Sequence, residues 1–148
     1  NSPLSERRWY HVWVSFDETS RSFSIGQIPV FNDFDLDGVK LAEIVVAERP
    51  QFNPDHPLLI AAHKEGKAVN HFNGKIERPF VLNFSASEKI ILDIATGKSK
   101  SGVIAAWDFS QGIGDNEVND LGPANLKGKN CKSSNTRGKE LKMGWNRI

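Results

Sequence analysis

A chain of 148 residues with 19 Lys and Arg against 18 Asp and Glu carries a net charge of +1, which gives no global field to draw a nucleic acid or an anionic membrane. One domain is the default at this length, and about two-thirds of the unfolded surface can be buried without staples. The lone cysteine, Cys131, excludes an internal disulfide and favours a reducing, cytoplasmic setting, and no apolar run approaches the ~20 residues that cross a bilayer.

Residues 1–8 are a polar lead, and because the chain does not begin with Met we expect processing or a cut from a longer protein. Residues 9–16 place aromatic or β-branched side chains on both faces, which predicts a strand buried on both sides. Asp17 to Arg21 connects it to residues 22–28, whose alternation of polar and apolar residues up to Ile25 predicts a hairpin partner. Trp9, His11 and Trp13 share one face of the first strand. Aromatic residues with amides nearby can form a sugar platform, so these three, with His71 and Asn73 from a later strand, are the candidate binding residues for a glycan or a partner. Rows of aromatic residues on strands are more often core.

Residues 29–38 contain Asp33, Asp35 and Asp37 at alternate positions followed by Gly38, the first half of a calcium loop. An EF-hand would need a Glu where Ile44 stands, so calcium competes here with a plain polar turn. Residues 39–48 fit a helix by composition or a strand through Ile44-Val45-Val46. A proline-punctuated loop over 49–57 precedes the short apolar run 58–63 and a turn at 64–67.

Residues 71–76 alternate, with Phe72, Gly74 and Ile76 to one side, and predict a strand with a buried face; the apolar run 80–84 predicts another. Ser85-Ala86-Ser87-Glu88 has the form of a capping box, and Ile90, Ile91 and Ile94 follow at helical spacing up to Gly97. One short helix is therefore expected over 86–96. Residues 103–109 return to a strand pattern, with Trp107 and Phe109 as core candidates beside Phe72 and Ile76. Beyond a loop at 111–116 and a short piece at Val118, the segment from about residue 130 to 148 reads as a basic tail or the start of a linker.

Little chemistry is legible. The four histidines (11, 56, 63 and 71) lie in separate segments, with no metal-ligand spacing. Glu77 and Asp108 are the one carboxylate pair that could face each other across a glycosidic bond, and a solvated strand residue and a strand-end cap are the better readings of them. Cys131 has no neighbouring base in sequence. No catalytic residue is assigned.

The segments Phe72-Asn73-Gly74-Lys75-Ile76 and Ala106-Trp107-Asp108-Phe109-Ser110 on either side of a Ser-x-x-Glu helix, with Asp120-Leu121-Gly122-Pro123 and Thr136-Arg137-Gly138, resemble the laminin-G-like (concanavalin A-like) domain of the N,N-dimethylformamidase large (beta) subunit family. The likeness runs over roughly residues 9–145 and is strongest from 72 to 123. Asn135 stands where that family is expected to have Pro, and the spacing from Gly138 to Trp145 is longer than the family's. The resemblance implies an all-β jelly-roll sandwich with one short helix, a single domain over 1–148. Such sandwiches carry several strands before the Trp-containing one, so the first strands are expected to be missing or supplied from elsewhere. It implies a non-catalytic domain for assembly and interdomain packing in an amidohydrolase that cleaves small formamides to an amine and formate. The mononuclear iron of that enzyme, held by tyrosines and a glutamate, would lie in another domain; Tyr10 is the only tyrosine here, and no cofactor is assigned to this chain. Other domains or subunits, including further copies, are the implied partners. The alternative is a lectin-like carbohydrate-binding module, with or without calcium.

Overall fold

The computed structural model describes residues 4–31, 38–51, 58–65, 67–69, 72–111, 115–132 and 139–143. They form antiparallel sheets and one short helix, an all-β architecture, in two compact units: residues 1–51 with 84–101, and residues 52–83 with 102–148. No helix among the described residues is long and apolar enough to cross a membrane.

The first unit is a three-stranded meander of β1 (Tyr10–Asp17), β2 (Ser22–Pro29) and β3 (Lys40–Val45), in that spatial order. The turn between β1 and β2 is closed by the Asp17 carboxylate, which accepts from the Ser20 N–H at 2.9 Å. That interaction holds the Asp17 carboxyl below its usual range. The segment whose sequence fitted helix or strand is β3, because Lys40 to Val45 can pair along β2 from Gln27 to Ser22.

Directly opposed residues share a face, so register assigns the two sides. Trp13 lies opposite Gly26, and Gly26 opposite Leu41. The buried Trp13 indole covers Gly26 so closely that a Cβ at position 26 would overlap the ring. The expectation that β1 is buried on both sides is corrected: Trp13 is buried, whereas Val12 and Val14 on the other face are exposed. The alternation in β2 is likewise inverted, with Ser22 buried and Ile25 exposed; Ser22 Oγ is satisfied by donating to Glu43 Oε1 at 2.7 Å.

The helix α1 (Glu88–Ala95) belongs to this unit and packs against β1. Its N-cap is Ser87, and no side chain caps the first turn. The capping box expected from Ser85 does not form, because Ser85 Oγ is hydrogen-bonded to Ser15 Oγ at 2.8 Å. The C-terminus follows the sequence signal. Gly97 takes φ +77°, its N–H donates to Ile94 O at 2.9 Å and Lys98 N–H donates to Asp93 O at 2.7 Å, the paired bonds of a Schellman ending. Ile91 is the buried residue of this helix.

In the second unit, β4 (Leu58–Ile60) is followed by a small hairpin of β5 (His63–Glu65) and β6 (Lys67–Val69). The strand predicted for residues 71–76 does not form over the described part of that range: residues 72–79 are irregular, and Phe72, expected in the core, is half exposed with Gly74 beneath its ring. Ile76 is partly buried. Pairing resumes between β7 (Phe80–Leu82) and β8 (Val103–Ala106), with a bulge between Val81 and Leu82, and Trp107 N–H extends it to Pro79 O at 3.0 Å.

The remaining strands are β9 (Glu117–Val118), β10 (Gly128–Lys132) and β11 (Lys139–Met143), which with β4 form a four-stranded sheet in the order β4-β11-β10-β9. The segment read as a basic tail is thus partly sheet: β11 lies between β10 and β4. The core of this unit is Ala105, Trp107 and Val118, with Ile60, Val81, Phe109 and Leu126 packed against it.

Candidate functional site

The main surface feature is the second face of the β1–β2–β3 sheet. Val14 pairs with Ile25 and Ile25 with Ala42; Phe16 pairs with Phe23 and Phe23 with Ile44. All of these side chains therefore lie on one side, together with Val12. The Phe16 and Phe23 rings meet at a centroid distance of 4.5 Å. Around them Val12, Val14, Ile25 and Ile44 are between 52 and 69% exposed. Isolated exposed aliphatic residues are ordinary, but a contiguous set on one sheet face marks an interaction surface.

The opposite face carries the residues singled out as a platform. Trp9 is exposed just before β1, and its carbonyl accepts from Val30 N–H at 2.9 Å. Trp13 is buried, only 9% exposed, and is not an open platform. His11 lines a groove of about 270 Å³, floored by Ile28, Pro29, Val30 and Leu92 and rimmed also by Asp93, Thr96 and Lys98. Two of the rim groups are committed elsewhere. Asp93 accepts from Lys89 Nζ at 2.8 Å, which lowers the Asp93 pKa and raises that of Lys89, and Thr96 Oγ1 donates to Leu92 O at 2.7 Å. Asn73 is exposed in the other unit. His71 lies outside the described residues, as do Asp33, Asp35 and Asp37. Among the described residues no group of three or more His, Cys, Asp or Glu side chains gathers to hold a metal.

Asp108 lies just past the end of β8, the strand-end position expected of a cap, and its carboxylate is well occupied. Oδ1 accepts from Ser110 Oγ at 2.6 Å and from Ser110 N–H at 2.9 Å, and Oδ2 accepts from Gln111 Nε2 at 3.0 Å. These donors, the Ser110 hydroxyl first, hold its pKa below the ordinary aspartate range, with a smaller contribution from Arg78. Glu77 pairs with Arg78 Nε at 3.5 Å in an exposed ion pair. A carboxyl with a lowered pKa is unsuited to act as a general acid near neutral pH.

The pH dependence follows. A carboxylate with a depressed pKa stabilises the folded state above its unfolded value of about 3.9, and this is lost as pH falls through the folded pKa. Stability should therefore be indifferent to Asp108 protonation from pH 5 to 8 and decline below about pH 4. In urea titrations, Asp108→Asn should flatten that acid limb; an unaltered limb would remove Asp108 from the account.

No family model matches the chain. A curated protein to which it is similar is the N,N-dimethylformamidase beta subunit of Paracoccus aminophilus, with 28% identity over 164 aligned positions that cover 97% of this chain and 21% of that protein. The chain thus spans about a fifth of the length of the curated relative it matches.

Proposed function

We propose that this chain is a non-catalytic packing and assembly domain of an amidohydrolase resembling the N,N-dimethylformamidase beta subunit, and that its antiparallel sheets belong to a concanavalin A-like, laminin-G-like sandwich. The observation that carries the reading is the apolar face of Val12, Val14, Ile25 and Ile44, which is exposed in this chain. Each such side chain is worth up to about 1.5–3 kcal/mol when fully covered, so a face of this kind is stabilised by a second layer. The similarity supports the source of that layer, since about four fifths of the relative lies outside the aligned part. Hydrolysis of a formamide and the iron that assists it would then belong to another domain of the parent enzyme in the cytoplasm.

The test uses the full-length protein. Val14→Lys and Ile25→Lys are surface changes if the face is bare, and should then alter stability by no more than about 0.5 kcal/mol. If the face is covered, each should lower the melting temperature by several degrees, and protection of the β2 amides from hydrogen exchange should fall. Unchanged melting and exchange would refute the covered face. Turnover of a formamide by this chain alone would refute the non-catalytic assignment.

A further inference from the structure

Asn73 is the one asparagine of this chain that is followed by glycine. The backbone nitrogen of the following residue can attack an asparagine carboxamide, and glycine favours the attack because it has no Cβ to crowd the nitrogen and turns freely into the required torsions. Regular structure suppresses the reaction by fixing those torsions and engaging the N–H in a ladder or helix. Neither restraint operates here. Asn73 and Gly74 are both exposed and lie in the irregular stretch 72–79. Among the described residues no hydrogen bond holds the Asn73 carboxamide or the Gly74 N–H. Local packing also calls for the glycine: a Cβ at position 74 would stand 2.3 Å from a carbon of the Phe72 ring. That ring, itself 49% exposed, covers Gly74 and leaves Asn73 open to water.

We propose that Asn73-Gly74 is a site of spontaneous covalent modification, at which the folded protein converts Asn73 to aspartate and isoaspartate. The Gly74 nitrogen gives up its proton to a solvent base and attacks Asn73 Cγ. A bond forms between them, the bond from Cγ to Nδ2 breaks, and the amide nitrogen leaves as ammonia with a proton from water. The product is a five-membered succinimide. Water then opens it at Cγ to give aspartate, or at the main-chain carbonyl of residue 73 to give isoaspartate, and nothing is oxidised or reduced. Either product adds one negative charge beside Lys75 and takes the formal net charge of this chain from +1 to 0. Isoaspartate also lengthens the backbone by one methylene. The stretch is tied upstream by Phe72 N–H to Ala61 O at 2.8 Å and downstream by Trp107 N–H to Pro79 O at 3.0 Å. Between these anchors no strand register has to be kept, so the altered chain stays folded and the product accumulates. The inference is independent of the amidohydrolase reading.

The test incubates the full-length protein, folded, in weakly alkaline buffer and reads tryptic peptides by mass spectrometry, with a sample digested at time zero to subtract what forms during digestion. The peptide Ala68–Lys75 holds both Asn70, which precedes His71, and Asn73, so its fragment ions compare the two asparagines under the same conditions. Asn73 should lose its amide nitrogen several-fold faster than Asn70, and faster still as the pH is raised, because the attacking nitrogen must be deprotonated. Part of the product should accept a methyl group from S-adenosylmethionine through an isoaspartyl methyltransferase, which direct hydrolysis of the carboxamide would not give. Gly74→Ala should slow the loss several-fold, the half-exposed Phe72 ring swinging aside to admit the methyl group. If circular dichroism shows that G74A is unfolded, Asn73→Gln carries the test: its longer side chain cannot form the five-membered ring, and the methyl-accepting product should disappear. An Asn73 that keeps its amide as long as Asn70 does, a product without isoaspartate, or a loss seen in urea and not in the folded protein would overturn the proposal. Such a failure leaves the covered face untouched, because that reading is tested at Val14 and Ile25.

Discussion

Trp107→Ala should lower stability by about 3–5 kcal/mol, the usual cost of truncating a buried aromatic side chain to alanine. Trp107 is 1% exposed, packs with Ala105 and Val118, and is enclosed by Ile60, Val81, Phe109 and Leu126. These neighbours come from β4, β7, β8, β9 and the loops beside them, so the indole joins segments far apart in sequence. Its ring is also anchored: Nε1–H donates to Leu126 O at 3.1 Å. Alanine would remove the packing and leave that carbonyl without its donor. Trp107→Phe separates the two effects, since it keeps an aromatic ring and loses the N–H, and should cost less than the alanine variant. Urea titrations followed by far-ultraviolet circular dichroism provide the measurement, because the substitution removes a fluorophore. Against a total stability of about 5–15 kcal/mol for a domain, that loss is a large share of the whole. An unchanged urea midpoint would show that Trp107 does not hold the unit together.

The readable parts of the fold were those set by local chemistry. The hairpin of β1 and β2 follows from two extended runs around a polar turn, and the end of α1 follows from a glycine able to take positive φ. Trp107 was legible as core because a large aromatic residue in a β-branched run has few other places to go. The strands β10 and β11 were not legible. Their register sets Lys129 against Lys142 and Lys132 against Lys139, like-charge pairs that no local pattern would favour, and β11 pairs on its other side with β4, some eighty residues earlier. Burial on β1 was misjudged for a related reason. Sequence shows that both faces are apolar, but which one is covered depends on where α1 packs. Phe72 was assigned to the core on alternation, whereas the backbone of 72–79 is irregular and the Phe72 N–H bond to Ala61 O at 2.8 Å is not continued into a strand. The candidate site suffered most, because an exposed apolar face and a buried one have the same composition.

Asp120→Ala should be the second costly substitution, at about 2–4 kcal/mol, although it removes little apolar surface. Its carboxylate gathers three backbone donors. Oδ1 accepts from Ala106 N–H at 2.8 Å and Gly122 N–H at 2.7 Å, and Oδ2 accepts from Leu126 N–H at 2.7 Å. The loop that begins at Asp120 thereby lies along β8, where Leu121 N–H reaches Ala106 O at 2.7 Å and Ala124 N–H reaches Ile104 O at 3.0 Å. The approach is close enough that a Cβ at Gly122 would stand 2.7 Å from Ala105 Cα and 2.9 Å from Ile104 O, both backbone atoms that cannot turn aside. Alanine at 120 strands all three donors in partly buried surroundings, where water replaces the carboxylate only in part. Asparagine can still accept through one oxygen at Ala106 and Gly122, but its amide nitrogen would face the Leu126 N–H, donor against donor. The order of stability should therefore be wild type, then Asp120→Asn, then Asp120→Ala. Hydrogen exchange resolves the cause: in the alanine variant the amides of Ala106, Gly122 and Leu126 should lose protection together, and in the asparagine variant Leu126 should lose the most. If those amides keep their protection after the carboxylate is removed, backbone pairing alone holds this loop to β8 and Asp120 is incidental to the fold.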